Sequence, residues 1–246
     1  MKKTLTIITL LAGAVGVYSQ GTINFQDYTA SFCITIWSPQ TDNPGFQQTG
    51  QGANDIPAGA TVYSGVPIGG AATGTAPYFY ADGNDYTVAL WAAAGLNVAL
   101  APANQLATAT MSNHGGTGVA NIVDNASGLG SAGSWAGSQT VTVPGSIGGS
   151  TGTASVQLAA WFNAGGTITS YAAALAAGDP NGLSPSANLT GLGGAPNSTT
   201  IPATPVDLPS GPVGLQSFSL TTVPEPSTIA LGVIGASAFL MRLRRK

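Results

Sequence analysis

The chain has 246 residues, with 35 Gly, 16 Pro, 43% hydrophobic residues and a formal net charge of −3. Its six basic residues are Lys2, Lys3, Arg242, Arg244, Arg245 and Lys246, so no Lys or Arg lies between Lys3 and Arg242. That excludes nucleic-acid binding, which needs cations to displace condensed counterions. A single cysteine excludes an internal disulfide and a multi-Cys metal site, and the apolar content is too high for a chain disordered throughout.

Lys2 and Lys3 precede a short apolar stretch, residues 5–17, and Val17 and Ser19 occupy the small-residue positions of a cleavage site. This predicts a secretory signal peptide over residues 1–19, cut after Ser19, with a cut after Gln20 as the alternative. The body, residues 20–222, has the length of one domain. It carries Asp27, Asp42, Asp55, Asp82, Asp85, Asp124, Asp179 and Asp207 but no Glu, Lys or Arg. Side-chain ion pairs are therefore limited to a protonated His114 or a new amino terminus. Stability has to come from backbone ladders and burial.

The signals along the body are mostly β. Residues 22–26 and 32–37 alternate and carry β-branched or aromatic side chains. Cys33 lies in the second of these, either as a small packed hydrophobe or as half of an intermolecular disulfide. Asn43-Pro44-Gly45 and Asp82-Gly83-Asn84-Asp85 carry turn chemistry. Residues 86–92 (Tyr-Thr-Val-Ala-Leu-Trp-Ala) and 154–162 (Ala-Ser-Val-Gln-Leu-Ala-Ala-Trp-Phe) read as two central strands of similar form. Shorter candidates are 119–123, 140–143 and 215–221. One stretch, 170–177, reads as helix, with Ser170 as its cap and Gly178 ending it. Residues 125–138 and 197–212 read as long loops. Many short strands, abundant turn residues and almost no helix predict an all-β protein with a β-sandwich body. Helices are expected at the N-terminal signal and as a single hydrophobic helix at the C-terminus.

The inventory for chemistry is thin. Acid–base catalysis needs His, Glu or a tuned Asp set against a partner, and the body offers one His, His114, in a glycine-rich stretch. No Gly-x-Ser-x-Gly elbow is present, and nothing in the sequence around Cys33 would activate it. We therefore expect no catalytic residues, no metal centre and no cofactor. Asp82 and Asp85 form a turn first. Their oxygens with a Gly bend also suit calcium, although the spacing is not that of an EF-hand. The cluster Pro77-Tyr78-Phe79-Tyr80 with Trp91, Trp135 and Trp161 could stack on sugars. Trp91 and Trp161 are expected in the core, whereas Trp135, flanked by Ser, Gly and Ala, is the candidate for an exposed platform. Asp82, Asp85 and Trp135 are the candidate ligand-binding residues.

Residues 223–246 have three parts in order. Val223-Pro224-Glu225-Pro226 cannot continue a helix or a strand. An apolar run, 229–241, follows, and then Arg242, Arg244, Arg245 and Lys246. As a helix the run is short of the ~30 Å hydrocarbon core, so the basic side chains must snorkel, and their charge sets them on the cytoplasmic side. This order resembles the PEP-CTERM sorting signal of bacterial surface proteins. The resemblance implies an exosortase-type membrane transpeptidase as processing partner, with Val223, Pro224, Glu225 and Pro226 as the motif. It also implies a transient membrane anchor through the C-terminal helix, then a cell-surface or extracellular-matrix destination. The body looks like those of a group of secreted PEP-CTERM proteins from environmental bacteria, β-rich and of unassigned activity. The expectation is a non-enzymatic secreted surface or matrix protein. The alternative is a carbohydrate-binding module for an extracellular polysaccharide, aided by calcium in one version.

Overall fold

The computed structural model describes residues 20–26, 28–29, 32–69, 83–111, 133–135, 138–195, 201–208 and 214–222. The sorting motif Val223, Pro224, Glu225 and Pro226, the basic residues 242–246 and both expected signal helices lie outside these residues. So do Asp82, His114, the aromatic run 77–80 and the strand expected at 119–123. Among the described residues no helix is long and apolar enough to cross a membrane.

The regular structure among the described residues is mostly β-strand, with one α-helix. The strands are β1 (Gly21–Phe25), β2 (Tyr28–Thr29), β3 (Phe32–Cys33), β4 (Ile36–Trp37), β5 (Tyr86–Ala94) and β6 (Gln105–Thr110), followed by β7 (Gln139–Val143), β8 (Thr153–Phe162), β9 (Asn181–Leu183), β10 (Ala187–Thr190), β11 (Val206–Asp207) and β12 (Phe218–Ser219). A five-stranded sheet runs β10-β8-β5-β6, with β9 also pairing with β8. A three-stranded sheet runs β11-β1-β7, and β12-β4 and β2-β3 form two small pairs.

The two long strands expected as central, β5 and β8, are direct antiparallel neighbours, in register from Tyr86 opposite Phe162 to Ala94 opposite Ala154. Their alternate residues serve two different cores. Val88, Leu90, Val156 and Leu158 join Ile23, Phe25 and Val143 of the three-stranded sheet in the main cluster. Ala89, Trp91, Ala159 and Trp161 form a second cluster on the opposite face with Ala174 of the helix α1 (Tyr171–Ala177). Burial on both faces explains why these segments are nearly continuous apolar runs in the sequence rather than apolar–polar alternations. Ala89 and Ala159 are cross-strand partners, and their small side chains leave room for the helix. Trp161 Nε1 donates to Ile168 O at 3.1 Å, and Trp91 meets the Tyr171 ring edge-on at 5.4 Å.

Helix α1 forms where its caps place it. Ser170 Oγ accepts from the Ala173 N–H at 3.2 Å, and Gly178 closes the helix in the left-handed region at φ 74°. At Asn43-Pro44-Gly45 the expected turn is closed by the Phe46 N–H donating to Asn43 O at 3.0 Å.

Elsewhere the ladders are shorter than the apolar pattern predicts. The single strand expected over 32–37 is divided into β3 and β4, because the Thr35 N–H donates to Ser217 Oγ at 2.7 Å and not to a strand. The strand expected over 215–221 contracts to β12, since the Ser217 N–H is taken by the side chain of Gln51 at 3.1 Å. Within the expected loop 197–212, Val206 and Asp207 form β11, parallel to β1 at its edge. A neighbouring proline is tolerated at such an edge. Strands β6, β9 and β10 had no sequence signal strong enough to announce them.

Candidate functional site

Asp85 ends a 3-10 turn, Gly83–Asp85, that leads into β5. The corner is pinned by Asn163, a buried residue just after β8. Its main-chain N–H donates to Asp85 O at 2.6 Å. Its side-chain Nδ2 donates to Asn84 O and Thr87 Oγ1, both at 3.0 Å, while Oδ1 accepts from the Gly166 N–H at 3.1 Å. The local geometry is that of a turn. Among the described residues no group of three or more His, Cys, Asp or Glu stands close enough to hold a metal ion.

Trp135 occupies a place opposite to the one expected from its small, polar neighbours. It is 1% exposed, stacked on Phe25 with ring centroids 5.2 Å apart, and part of the main cluster. Its faces are closed to a sugar ring. Gly133, two residues before it, serves close backbone packing and not exposure. Gly133 lies at φ 84°, its carbonyl accepts from the Ile36 N–H at 2.8 Å, and a Cβ there would sit 2.3 Å from Thr35 Cγ2. Trp91 and Trp161, also 1% exposed, are core residues. The thiol of Cys33 is buried as well. Among the described tryptophans Trp37 alone is part-exposed, and it stacks on Tyr63 at 4.8 Å with the rings 2° from parallel.

A polar buried hub joins Thr35, the stretch 50–63 and Ser217 around Asp55, which is 4% exposed. Asp55 Oδ2 accepts from the Gly52 N–H at 2.5 Å and from the Ser217 hydroxyl at 2.6 Å. Asp55 Oδ1 accepts from the Thr35 hydroxyl at 2.8 Å. With no Lys or Arg in the body, this carboxylate is held wholly by neutral donors. Burial pushes its pKa above the ordinary carboxylate value, and the bonds from Ser217, Gly52 and Thr35 pull the other way without cancelling it. Ser217 is itself 0% exposed. Its Oγ accepts from the Thr35 N–H at 2.7 Å, and its own N–H donates to Gln51 Oε1 at 3.1 Å. Gln51 Nε2 donates onward to Pro57 O at 3.3 Å. Tyr63 Oη lies 2.7 Å from Gly50 O and 2.8 Å from Ser217 O. Burial, and then the charge of Asp55, push that phenol well above its ordinary pKa.

None of Asp55, Ser217, Thr35, Gln51 or Tyr63 stood out in the sequence. Asp55 figures there only as one of the eight acids of the body. The one available signal was compositional: in a body without cations, any buried acid has to be met by hydroxyls and amides. The hub pairs a hydroxyl with a carboxylate, but it is closed to an external substrate. No protein-family model, curated protein or solved structure matches the chain.

Proposed function

We propose that this chain is a non-enzymatic secreted protein of the cell surface or extracellular matrix, sorted by a PEP-CTERM signal over residues 223–246. One observation carries the reading: the order of Pro224-Glu225-Pro226, the apolar run 229–241 and the basic group Arg242, Arg244, Arg245 and Lys246. A transient anchor has to halt export, which the run and the cations do together, and to hold an extended peptide where a membrane enzyme can bind it. The two prolines keep that peptide out of helix and sheet alike. The body is a β-sandwich in this reading, supported by the meeting of residues from the three-stranded and five-stranded sheets in one cluster. Its role is structural, in keeping with a carboxylate hub that is sealed from outside.

Mass spectrometry of surface and matrix fractions tests the proposal. Mature protein lacking residues 229–246 is expected in a host with an active exosortase. Retention of the C-terminal peptide on most of the extracellular protein would leave the segment as a plain membrane anchor. A glycan array with and without EDTA addresses polysaccharide binding, which would have to work without Trp135. Among the described residues its available aromatic pair is Trp37 and Tyr63, and EDTA-sensitive binding would implicate Asp82 and Asp85.

A further inference from the structure

Three side chains of the buried hub have the chemistry of an acyl transfer: a hydroxyl, a carboxylate on its proton, and a carboxamide. The Ser217 hydroxyl donates to Asp55 Oδ2 at 2.6 Å, the bond between nucleophile and base with which such a transfer begins. The Thr35 N–H enters the same Ser217 oxygen at 2.7 Å. A serine oxygen has two lone pairs, so one is left for attack while the proton points at Asp55. The decisive bond is that of the Ser217 N–H to Gln51 Oε1 at 3.1 Å. In acyl transfer at a serine, the nucleophile's own N–H is one of the donors that hold the carbonyl oxygen as it becomes an oxyanion. Burial also raises the Asp55 pKa, which suits a carboxylate to accepting a proton.

Composition leaves few other ways to staple this body. Without lysine it has no isopeptide bond to form, and with one cysteine it has no internal disulfide. Ser217, Asp55 and Gln51 are 0%, 4% and 8% exposed, so water is kept from a product ester.

We propose that Ser217 and Gln51 join in an intramolecular ester. Ser217 Oγ attacks Gln51 Cδ and its proton passes to Asp55. The Oγ–Cδ bond forms, the Cδ–Nε2 bond breaks, and the nitrogen takes the proton back and leaves as ammonia. A hydroxyl and a carboxamide thus become an ester and ammonia, with no oxidant or co-reactant. The departing ammonia is protonated at neutral pH and lost by diffusion, which draws the exchange forward. The link closes a span of 166 residues, tying the segment before β12 to the loop that carries Asp55. It does not rest on where the protein is delivered.

The test is the mass of the unaltered, folded full chain, followed by digestion with a protease that cuts at aspartate. The peptides containing Gln51 and Ser217 should appear joined, lighter than their sum by one ammonia, and should separate on treatment with hydroxylamine. Ser217→Ala and Gln51→Ala should each restore the unlinked peptides. Asp55→Asn should slow formation of the link by roughly 100-fold or more, the usual reach of a general base. Two separate, unmodified peptides from the folded wild-type chain would overturn the proposal, whether or not any variant folds. A link to Thr35 in place of Ser217 would overturn the assignment of the nucleophile.

Discussion

The β5–β8 pair and the Asp55 hub are both buried, yet they are held by opposite means. The strand pair is apolar on both faces, and its stability grows with area removed from water and with close packing. The hub has almost no apolar content at its centre and holds only while every polar atom keeps its partner. Truncating an apolar side chain forfeits transfer energy and leaves a cavity. Removing one partner from the hub leaves the opposite group buried and unsatisfied, which is costly in a different way. The first region should therefore respond to side-chain volume and be insensitive to pH, and the second should behave the other way round.

Truncation of the strand pair gives the largest expected effect. Trp161→Ala removes a fully buried ring and its bond to Ile168 O, and should cost about 3–5 kcal/mol in urea unfolding. A loss below about 1 kcal/mol, less than an ordinary substitution, would mean that the helix-side cluster is not a core.

At the hub, Asp55→Ala strands the Thr35 and Ser217 hydroxyls and the Gly52 N–H. The net loss should be about 1–3 kcal/mol, because the substitution also removes a carboxylate whose burial is itself unfavourable. Asp55→Asn keeps an acceptor and should lose less, so the ordering of the two variants in the same unfolding series checks the account. Equal losses would show that the acceptor oxygen retained by Asn contributes nothing.

The hub should also dominate a pH dependence with a defined sign. Asp55 has a raised folded-state pKa. Between the ordinary value of 3.8 and the folded value, the native chain binds more protons than the unfolded one. Stability contributed by this group therefore rises as pH falls through the folded value and declines as pH climbs through it. Comparison of Tm for wild type and Asp55→Asn across the acid range isolates the effect, and the variant's profile should be flatter. Identical profiles would place the titration elsewhere. Trp161→Ala, by contrast, should lower Tm by the same amount at every pH.

The smallest effect belongs to the helix that covers the strand pair. Ser170→Ala removes the cap bond to Ala173 and should cost about 1 kcal/mol. Ser170→Asp should hold most of it, and a cap-independent result in thermal unfolding would mean that tertiary contacts alone keep α1 in place.

The difference between the two regions is also a difference in legibility. Residues 86–92 and 154–162 announce central strands because burial on two faces is written in consecutive residues. Ser170 and Gly178 announce a helix because caps act over three or four positions. The absence of cations is likewise a property of composition, and it already rules out ion pairs from Lys or Arg anywhere in the body. The hub's bonds to Ser217, by contrast, depend on side chains meeting across long separations: 162 residues from Asp55 to Ser217 and 166 from Gln51 to the same serine. No periodicity or local motif encodes such a meeting. The same holds for Trp135, whose Gly and Ser neighbours read as a loop, whereas Gly133 lets the backbone pass close to Thr35 and Ile36. Local chemistry settled which segments extend or coil. Only the tertiary structure decided which side chains are sealed from water, because burial is a property of what the rest of the chain lays over them.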